Sequence, residues 1–527
     1  MFKFAELVSE LKNQVKKLDK YLKDYKGTAN SVEIPSVAYV NWGIRLAERG
    51  YFDDAVEKLR TATMMANQNP DAYINLGIAH LKKKNYEEAI RNFREASKLD
   101  KFNTKAYSMW GSALAEIGDL KGAVDIYKLA QKYDSRDPDI YLNWGISLSK
   151  AGKNLEAQEK FKKAVSLNPM NPVPPFLWGL ILLEQNNYEE AILRFQHSLM
   201  YSEDKYDSLY YLAFCNLKLK NYDIALEQAK NVTAIRDNNI EPYMIMADCY
   251  MNTGKEQECL EAFETASTKN FLNLEFFLNW GIALQKYKRL EQAREKLNNA
   301  VIMAPNNDVV LFHLAMNYLL SNEETWAQEL FERAVEANPK NVLALTNLAA
   351  LVYNKANYDM ALDLYKRAFE AERKNYHLYF NIANCYQRKN DIESAKNYFK
   401  KCIEYCPEHI QAYINFANLL VENGEPKEAL RKIRTAYSMD KDSAYVNFSF
   451  AIVLLKTDDY EKAYEKFEAA IRIEPAYDIA HLGAAECLYY MGKPQEAVKH
   501  LELISETFKE RAEYHEVLNK VKDSLKG

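Results

Sequence analysis

Long apolar runs are missing from this chain. No stretch of its 527 residues approaches the ~18–20 consecutive apolar positions that span a bilayer, so a membrane-spanning helix is not expected. Histidine is rare, with 8 residues dispersed along the chain, and no H-E-x-x-H pair occurs. Cysteine is limited to 7 residues (215, 249, 259, 385, 402, 406 and 487). An odd number scattered through helix-like stretches reads as buried thiols in a reducing compartment, and the cytoplasm is the simplest location. Excess charge is absent as well. A formal net charge of −5 with no basic stripe argues against nucleic acid as a partner. The opening "MFKFAELVSELKNQ" lacks the cationic-then-apolar layout of a secretory signal.

What is present is bulk and period. A single hydrophobic core usually stops growing near ~250–300 residues, so the chain must split or repeat. With 48% hydrophobic and 27% charged residues it has the composition of a folded, soluble protein. Five of its six tryptophans directly precede a glycine, and Gly43, Gly111, Gly145, Gly179 and Gly281 are separated by 68, 34, 34 and 102, all multiples of 34. Steps of 34 from Gly43 to Ala485 give fourteen positions, every one Gly or Ala, without insertion or deletion. Twelve residues beyond each landing lies Ala, from Ala55 to Ala497, broken only by Cys259. A fixed period of this length signals an array of supersecondary units.

Spacing within one unit predicts two helices. In "DAYINLGIAHLKKKNYEEAIRNFREASKLD" (71–100), Tyr73, Leu76, Gly77 and His80 share one helical face, and Ala89, Phe93 and Ala96 form the stripe of a second helix. The slot between them holds Gly50, Gly118, Gly152, Gly254, Gly424 and Gly492 in other units, as suits a turn with positive φ. Pro426 and Pro494 fall at the first position of the second helix, where a missing N–H costs nothing.

This unit resembles the tetratricopeptide repeat over residues 36–503, because small, aromatic and turn slots all recur in phase. One departure is that Tyr stands where the family often has Trp (Tyr39, Tyr73, Tyr107, Tyr141, Tyr243, Tyr379, Tyr413), three residues before the tryptophans of this chain. Trp42, Trp110, Trp144, Trp178 and Trp280 instead occupy a slot that Leu76, Leu212, Leu314 and Leu348 fill elsewhere, so they are expected to be scaffold. The resemblance implies an all-α fold, a right-handed superhelical solenoid of about fourteen helix-turn-helix units.

The ends break the period. In residues 1–26, Val8, Val15 and Leu22 share one heptad position and Phe4, Leu11, Leu18 and Tyr25 another, a two-stranded coiled-coil pattern. Three heptads are marginal alone, and the alternatives are a helix folded back over the first repeat or an amphipathic helix on a membrane surface; "GTANSVEIP" (27–35) reads as a linker. Residues 504–527 are expected to form a capping helix, with Tyr514, Leu518, Val521 and Leu525 as its apolar stripe.

No catalytic constellation is found, and an enzyme is not expected. "TGKEQ" (253–257) lacks the upstream glycine and following Ser/Thr of a phosphate loop. Cys402, Cys406 and His409 lack the second Cys/His pair of a zinc site. Neither metal nor cofactor is expected. "NYEEA" (85–89, 187–191) places carboxylates in the first turn of a second helix, where the helix dipole favours them.

What remains is surface. The resemblance implies that the first helices line a concave groove, and its inward slots hold Asn41, Asn75, Asn143, Asn279, Asn347, Asn381 and Asn415. Asn is a mediocre helix former, and its amide both donates and accepts, so such a row could grip a peptide backbone without reading its sequence. The row resembles the asparagine ladder inside the repeat superhelix of O-GlcNAc transferase; the alternative is a structural bond between neighbouring repeats. Beside it stand Phe176, Tyr210, Phe214, Phe312, Phe380 and Ile414, whose apolar surface suggests a partner segment. The lysine that a chaperone-tail clamp needs is absent from its slot (Val40, Ile74, Ser108, Leu142). The expected function is a non-catalytic scaffold binding an extended peptide or helix of a partner protein. A targeting or regulatory subunit for an enzyme on another chain, such as a glycosyltransferase, is the alternative. A coil over 1–26 would make the full chain a homodimer and residues 36–527 a monomer by light scattering; a monomer in both cases would eliminate the coil and leave the cap.

Overall fold

In the computed structural model the described residues are 36–269 and 272–525. The amphipathic segment 1–26 and the linker 27–35 lie outside them. The chain divides into two compact units, Met1–Phe271 and Leu272–Gly527. Among the described residues the first unit holds seven helix pairs, from Ser36–Glu48 with Phe52–Met65 to Glu241–Asn252 with Glu256–Ser267. The second holds seven more, from Leu274–Lys286 with Leu290–Met303 to Asp478–Tyr490 with Pro494–Glu502. No strand occurs among the described residues, and none of their helices is long and apolar enough to cross a membrane. Within a unit each second helix packs against both its own first helix and that of the next repeat. The core is therefore a series of local clusters, as expected of a quasi-one-dimensional array.

The small slot sets the approach of the paired helices. A Cβ added at Gly145 would stand 2.6 Å from Phe161, and at Gly77 2.6 Å from Phe93; each of these rings lies sixteen residues after its glycine. At Gly111 the same place is taken by Tyr127, fully buried, whose hydroxyl lies 2.9 Å from both Ser112 Oγ and Ser147 Oγ and donates to the Asn143 carbonyl at 3.2 Å. Burial pushes the Tyr127 hydroxyl up to about 12. The turn slot is equally uniform. All fourteen of its residues have positive φ, the six glycines and also Lys84, Asn186, Lys220, Lys288, Asn322, Ala356, Asn390 and Asp458. The turn geometry thus persists where glycine does not.

Two further slots tie several repeats to the loop before them. Four residues before the small slot, a side-chain donor reaches the loop six residues upstream. Tyr141 bonds the Ser135 carbonyl at 3.0 Å, Asn447 the Lys441 carbonyl at 2.7 Å, and His481 the Pro475 carbonyl at 3.0 Å. At the start of the first helices, Asn69, Asn103, Asp137, Asn307, Asn341 and Asn375 accept from backbone N–H groups, the usual N-cap chemistry.

The tryptophans before glycine pack as scaffold, with Trp144 and Trp178 buried and the other three half-buried. A cation covers each ring. Lys58, Lys160, Arg194 and Lys296, each sixteen residues after its tryptophan, lie 4.5, 3.8, 3.9 and 4.3 Å from Trp42, Trp144, Trp178 and Trp280, and Arg94 lies 5.2 Å from Trp110. Trp326, the sixth, is exposed.

Beyond the repeats the chain forms two helices where one was expected, Glu506–Lys509 and Ala512–Ser524. The second packs on the last pair through Tyr514, Val517 and Val521, alongside Leu482, Leu501 and Ile504. The expected stripe is corrected by this packing. Val517 takes the central position, Leu518 is only partly buried, and Leu525 is exposed because the helix ends there.

Two substitutions test this geometry with opposite signs. Gly145→Ala forces a methyl into the Phe161 ring and should cost about 1–3 kcal/mol in urea unfolding. Ala356→Gly relieves a left-handed alanine at φ 61° and should raise stability by about 1 kcal/mol.

Candidate functional site

Within each unit most neighbouring first helices touch, as Thr104–Glu116 touches Pro138–Lys150, whereas successive second helices make at most marginal contact. A stack whose first helices approach more closely than its second helices curves with the first helices inside. The first helices carry the asparagine row.

The seven asparagines are not equivalent. Asn41 is exposed and the other six are half-buried. Asn75 donates to the Asp71 carbonyl at 2.8 Å and Asn347 to the Leu343 carbonyl at 2.9 Å, each inside its own helix, which leaves both carboxamide oxygens available. Asn143 donates to Ser108 Oγ at 3.0 Å, across to the preceding first helix. Asn415 donates to Asn384 Oδ1 at 2.9 Å, also across repeats, and accepts from Gln411 at 2.9 Å; Gln411 further donates to Tyr445 Oη at 3.1 Å. The side chains of Asn41, Asn279 and Asn381 make no hydrogen bond among the described residues.

The aromatic neighbours form a half-exposed floor. Phe176 meets Phe195 and Tyr211 edge-on at 5.7 Å, Tyr210 meets Tyr211 at 5.1 Å, and Phe312 meets Phe331 at 5.9 Å. The Lys218 ammonium lies 4.9 Å over Phe214, so that ring face is already covered. Phe380 packs 4.9 Å from His409. Ile414 departs from expectation: it is 0% exposed, inside the core cluster with Phe416 and Ile433, and offers no surface to a groove. Its slot faces the next repeat there because the neighbouring first helices pack closely.

His409 takes the N-cap place that asparagine holds in most repeats, its Nδ1 accepting from the Ala412 N–H at 3.1 Å. Burial lowers its pKa below the ordinary value of 6.5, and nearby His377 lowers it further. Cys215, Cys249, Cys385, Cys402 and Cys487 are buried, and burial pushes each thiol up to about 12. No group of three metal-ligating side chains occurs among the described residues.

Family models for the tetratricopeptide repeat match residues 70–103, 327–376, 376–409, 398–431 and 454–521. The chain is a tetratricopeptide repeat protein. A further model, for subunit 3 of the anaphase-promoting complex (cyclosome), matches residues 184–266. No curated protein matches the sequence. Among solved structures, the chain is similar to one in the APC/C hetero-tetramer Cut9–Hcn1 at 14% identity, covering 95% of this chain and 98% of that one with a TM-score of 0.45. It is similar to a tetratricopeptide repeat protein from Parabacteroides merdae at 18% identity, covering 46% and 97% with a TM-score of 0.38. For yeast Tom70 the identity is 16%, the coverage 93% and 95%, and the TM-score 0.34.

In this tetratricopeptide array the sequence reading missed Asn384, Gln411 and Tyr445. They join Asn415 in one amide chain over three successive first helices. The available signal was Asn384 itself, an amide in a slot that Ile78, Ile146 and Leu180 fill elsewhere.

His313, His409 and His500 of the second unit are all lowered by burial, against His80 alone in the first. A histidine depressed in the fold takes its proton more readily when unfolded, so its contribution is complete above pH ~6.5 and declines as pH falls below that. Acidification from about pH 7.5 to about 5 should loosen Leu272–Gly527 before Met1–Phe271 in peptide-resolved hydrogen exchange; equal loosening would contradict this.

Proposed function

We propose that the chain is a protein-interaction scaffold without catalysis of its own, and that it holds an extended partner peptide on the concave face of Leu272–Gly527. The observation that carries this reading is the amide run from Asn347 to Tyr445. Asn347 keeps a carboxamide oxygen available, Asn381 is unengaged, and Asn384, Asn415 and Gln411 are fixed by mutual bonds. A peptide backbone presents alternating donors and acceptors, and amides held in position lose little entropy in meeting them. Phe312 and Phe380 flank the run as half-exposed apolar contacts for the peptide's side chains. The bonds within the run also serve the stacking of the repeats, so Asn415 has two roles.

A second reading, a structural subunit of a larger assembly, is favoured by the match of residues 184–266 to a model named for a subunit of a complex. It differs from the first in where the partner binds, since those residues belong to the first unit.

A typical hydrogen bond contributes ~0.5–1.5 kcal/mol net. Replacing Asn347, Asn381 and Asn415 together by alanine should weaken a captured partner peptide by about 2–4 kcal/mol, roughly thirty- to a thousand-fold. Calorimetry with folding checked by circular dichroism reads this. A folded triple variant with unchanged affinity would return these asparagines to a purely structural role.

A further inference from the structure

The last repeat brings two histidines into hydrogen-bond contact. His481, on Asp478–Tyr490, and His500, on Pro494–Glu502, face each other with Nδ1 3.2 Å from Nδ1. The other nitrogen of His481 is 3.0 Å from the Pro475 carbonyl, and His481 is only 3% exposed. A carbonyl accepts only, so His481 Nε2 carries a hydrogen. Tyr141 and Asn447 donate to the equivalent carbonyl from the same slot. Neutral His481 therefore offers a lone pair at Nδ1, and His500 must answer with Nδ1–H. His500 Nε2 is then the one ring nitrogen of the pair left unprotonated and pointed away from its fellow. It lies 3.5 Å from Tyr464 Oη and 3.6 Å from Glu468 Oε1.

We infer that His481 and His500 form a one-proton relay, in which a single proton enters at His500 Nε2, closes a charge-assisted contact to Glu468, and ties together the helices Tyr460–Ile473, Asp478–Tyr490 and Pro494–Glu502. The proton comes from solvent and no bond other than N–H forms. In the neutral state Tyr464 is the only donor within reach of Nε2 among the described residues, and at 3.5 Å it is long. In the protonated state every ring nitrogen donates or accepts, in the order Pro475 carbonyl, His481, His500, Glu468.

The surroundings set the pH at which this happens. Burial is the largest influence on His500 and lowers it; His481 lowers it too, while Glu468 and, from its own helix, Glu496 raise it. The helix Ala512–Ser524, which also packs against Pro494–Glu502, contributes the apolar Tyr514, Val517 and Val521 to that contact. The relay therefore stays open at pH above ~6.5 and closes in acid. The unfolded chain takes the same proton more readily, so acid weakens this end of the array even as the Glu468 contact forms.

Imidazole nitrogen NMR of the full chain, labelled at histidine, tests the relay directly. At about pH 7.5, His481 should be the Nε2–H tautomer and His500 the Nδ1–H tautomer. Glu468→Gln should move the His500 transition to lower pH by about 1 unit, the lower end of the effect of one nearby opposite charge. His481→Leu, with the residue that Leu311 and Leu345 place in this slot, removes the acceptor facing His500 and should shift His500 towards Nε2–H. An Nε2–H tautomer for His500 in the unaltered chain would overturn the inference. So would a transition unmoved in a Glu468→Gln protein that circular dichroism shows to be folded.

Discussion

The approach of one small residue to one large one, sixteen positions apart, is the constraint on which the structure rests. At Gly43, Gly77, Gly111, Gly145, Gly179 and Gly281 the second helix comes so close that an added methyl would fall 2.4–2.8 Å from a leucine, phenylalanine or tyrosine side chain. In the remaining repeats alanine keeps the slot small, and at Ala213 the partner sixteen residues on is itself an alanine, Ala229, also fully buried. With the pair held this tightly, the turn between its helices is forced into the left-handed region whatever residue stands there. Eight non-glycine residues accept that backbone, and in Ala356 it is plainly strained.

Polar contacts then fix each pair to its neighbours. The donors at Tyr141, Asn447 and His481 differ in chemistry and share a target, the loop carbonyl six residues upstream. Ion pairs between repeats, such as Lys456 with Glu422 at 3.8 Å, lie on the surface, where each contributes little. The cations over the tryptophans do more, since Lys160 and Arg194 cover rings that are otherwise buried and shield their faces from water.

The same logic governs the candidate groove. An asparagine on a concave face either bonds within its own helix, bonds to the next repeat, or stays open, and the array uses all three. Asn143 and Asn415 lock neighbouring first helices together, so removing either affects stacking as well as any ligand. Asn381 carries no such bond, and its amide is the better reporter of binding alone. Histidine adds a second layer. His409 caps the helix Ile410–Glu422 through a lone pair that acid removes, and His500 sits in the last pair with its proton site aimed at a carboxylate.

The sequence alone determined the repeat, its length, its two helices, the turn and the packing role of the Trp-Gly pairs. Each of these depends on residues close in the chain, and fourteen copies in phase repeat the signal. It could not place Ile414 in the core, exchange Val517 for Leu518 in the terminal stripe, or find the Asn384–Asn415–Gln411–Tyr445 run. Those depend on the rotation of one repeat against the next, which sets whether a given slot faces a neighbour or solvent. Trp326 shows the same limit: its indole is exposed where the other five are covered, and only the packing of each second helix on its neighbours decides that. The pairing of His481 with His500 belongs to this class as well, since nineteen residues separate them and only the last turn of packing brings their nitrogens within 3.2 Å.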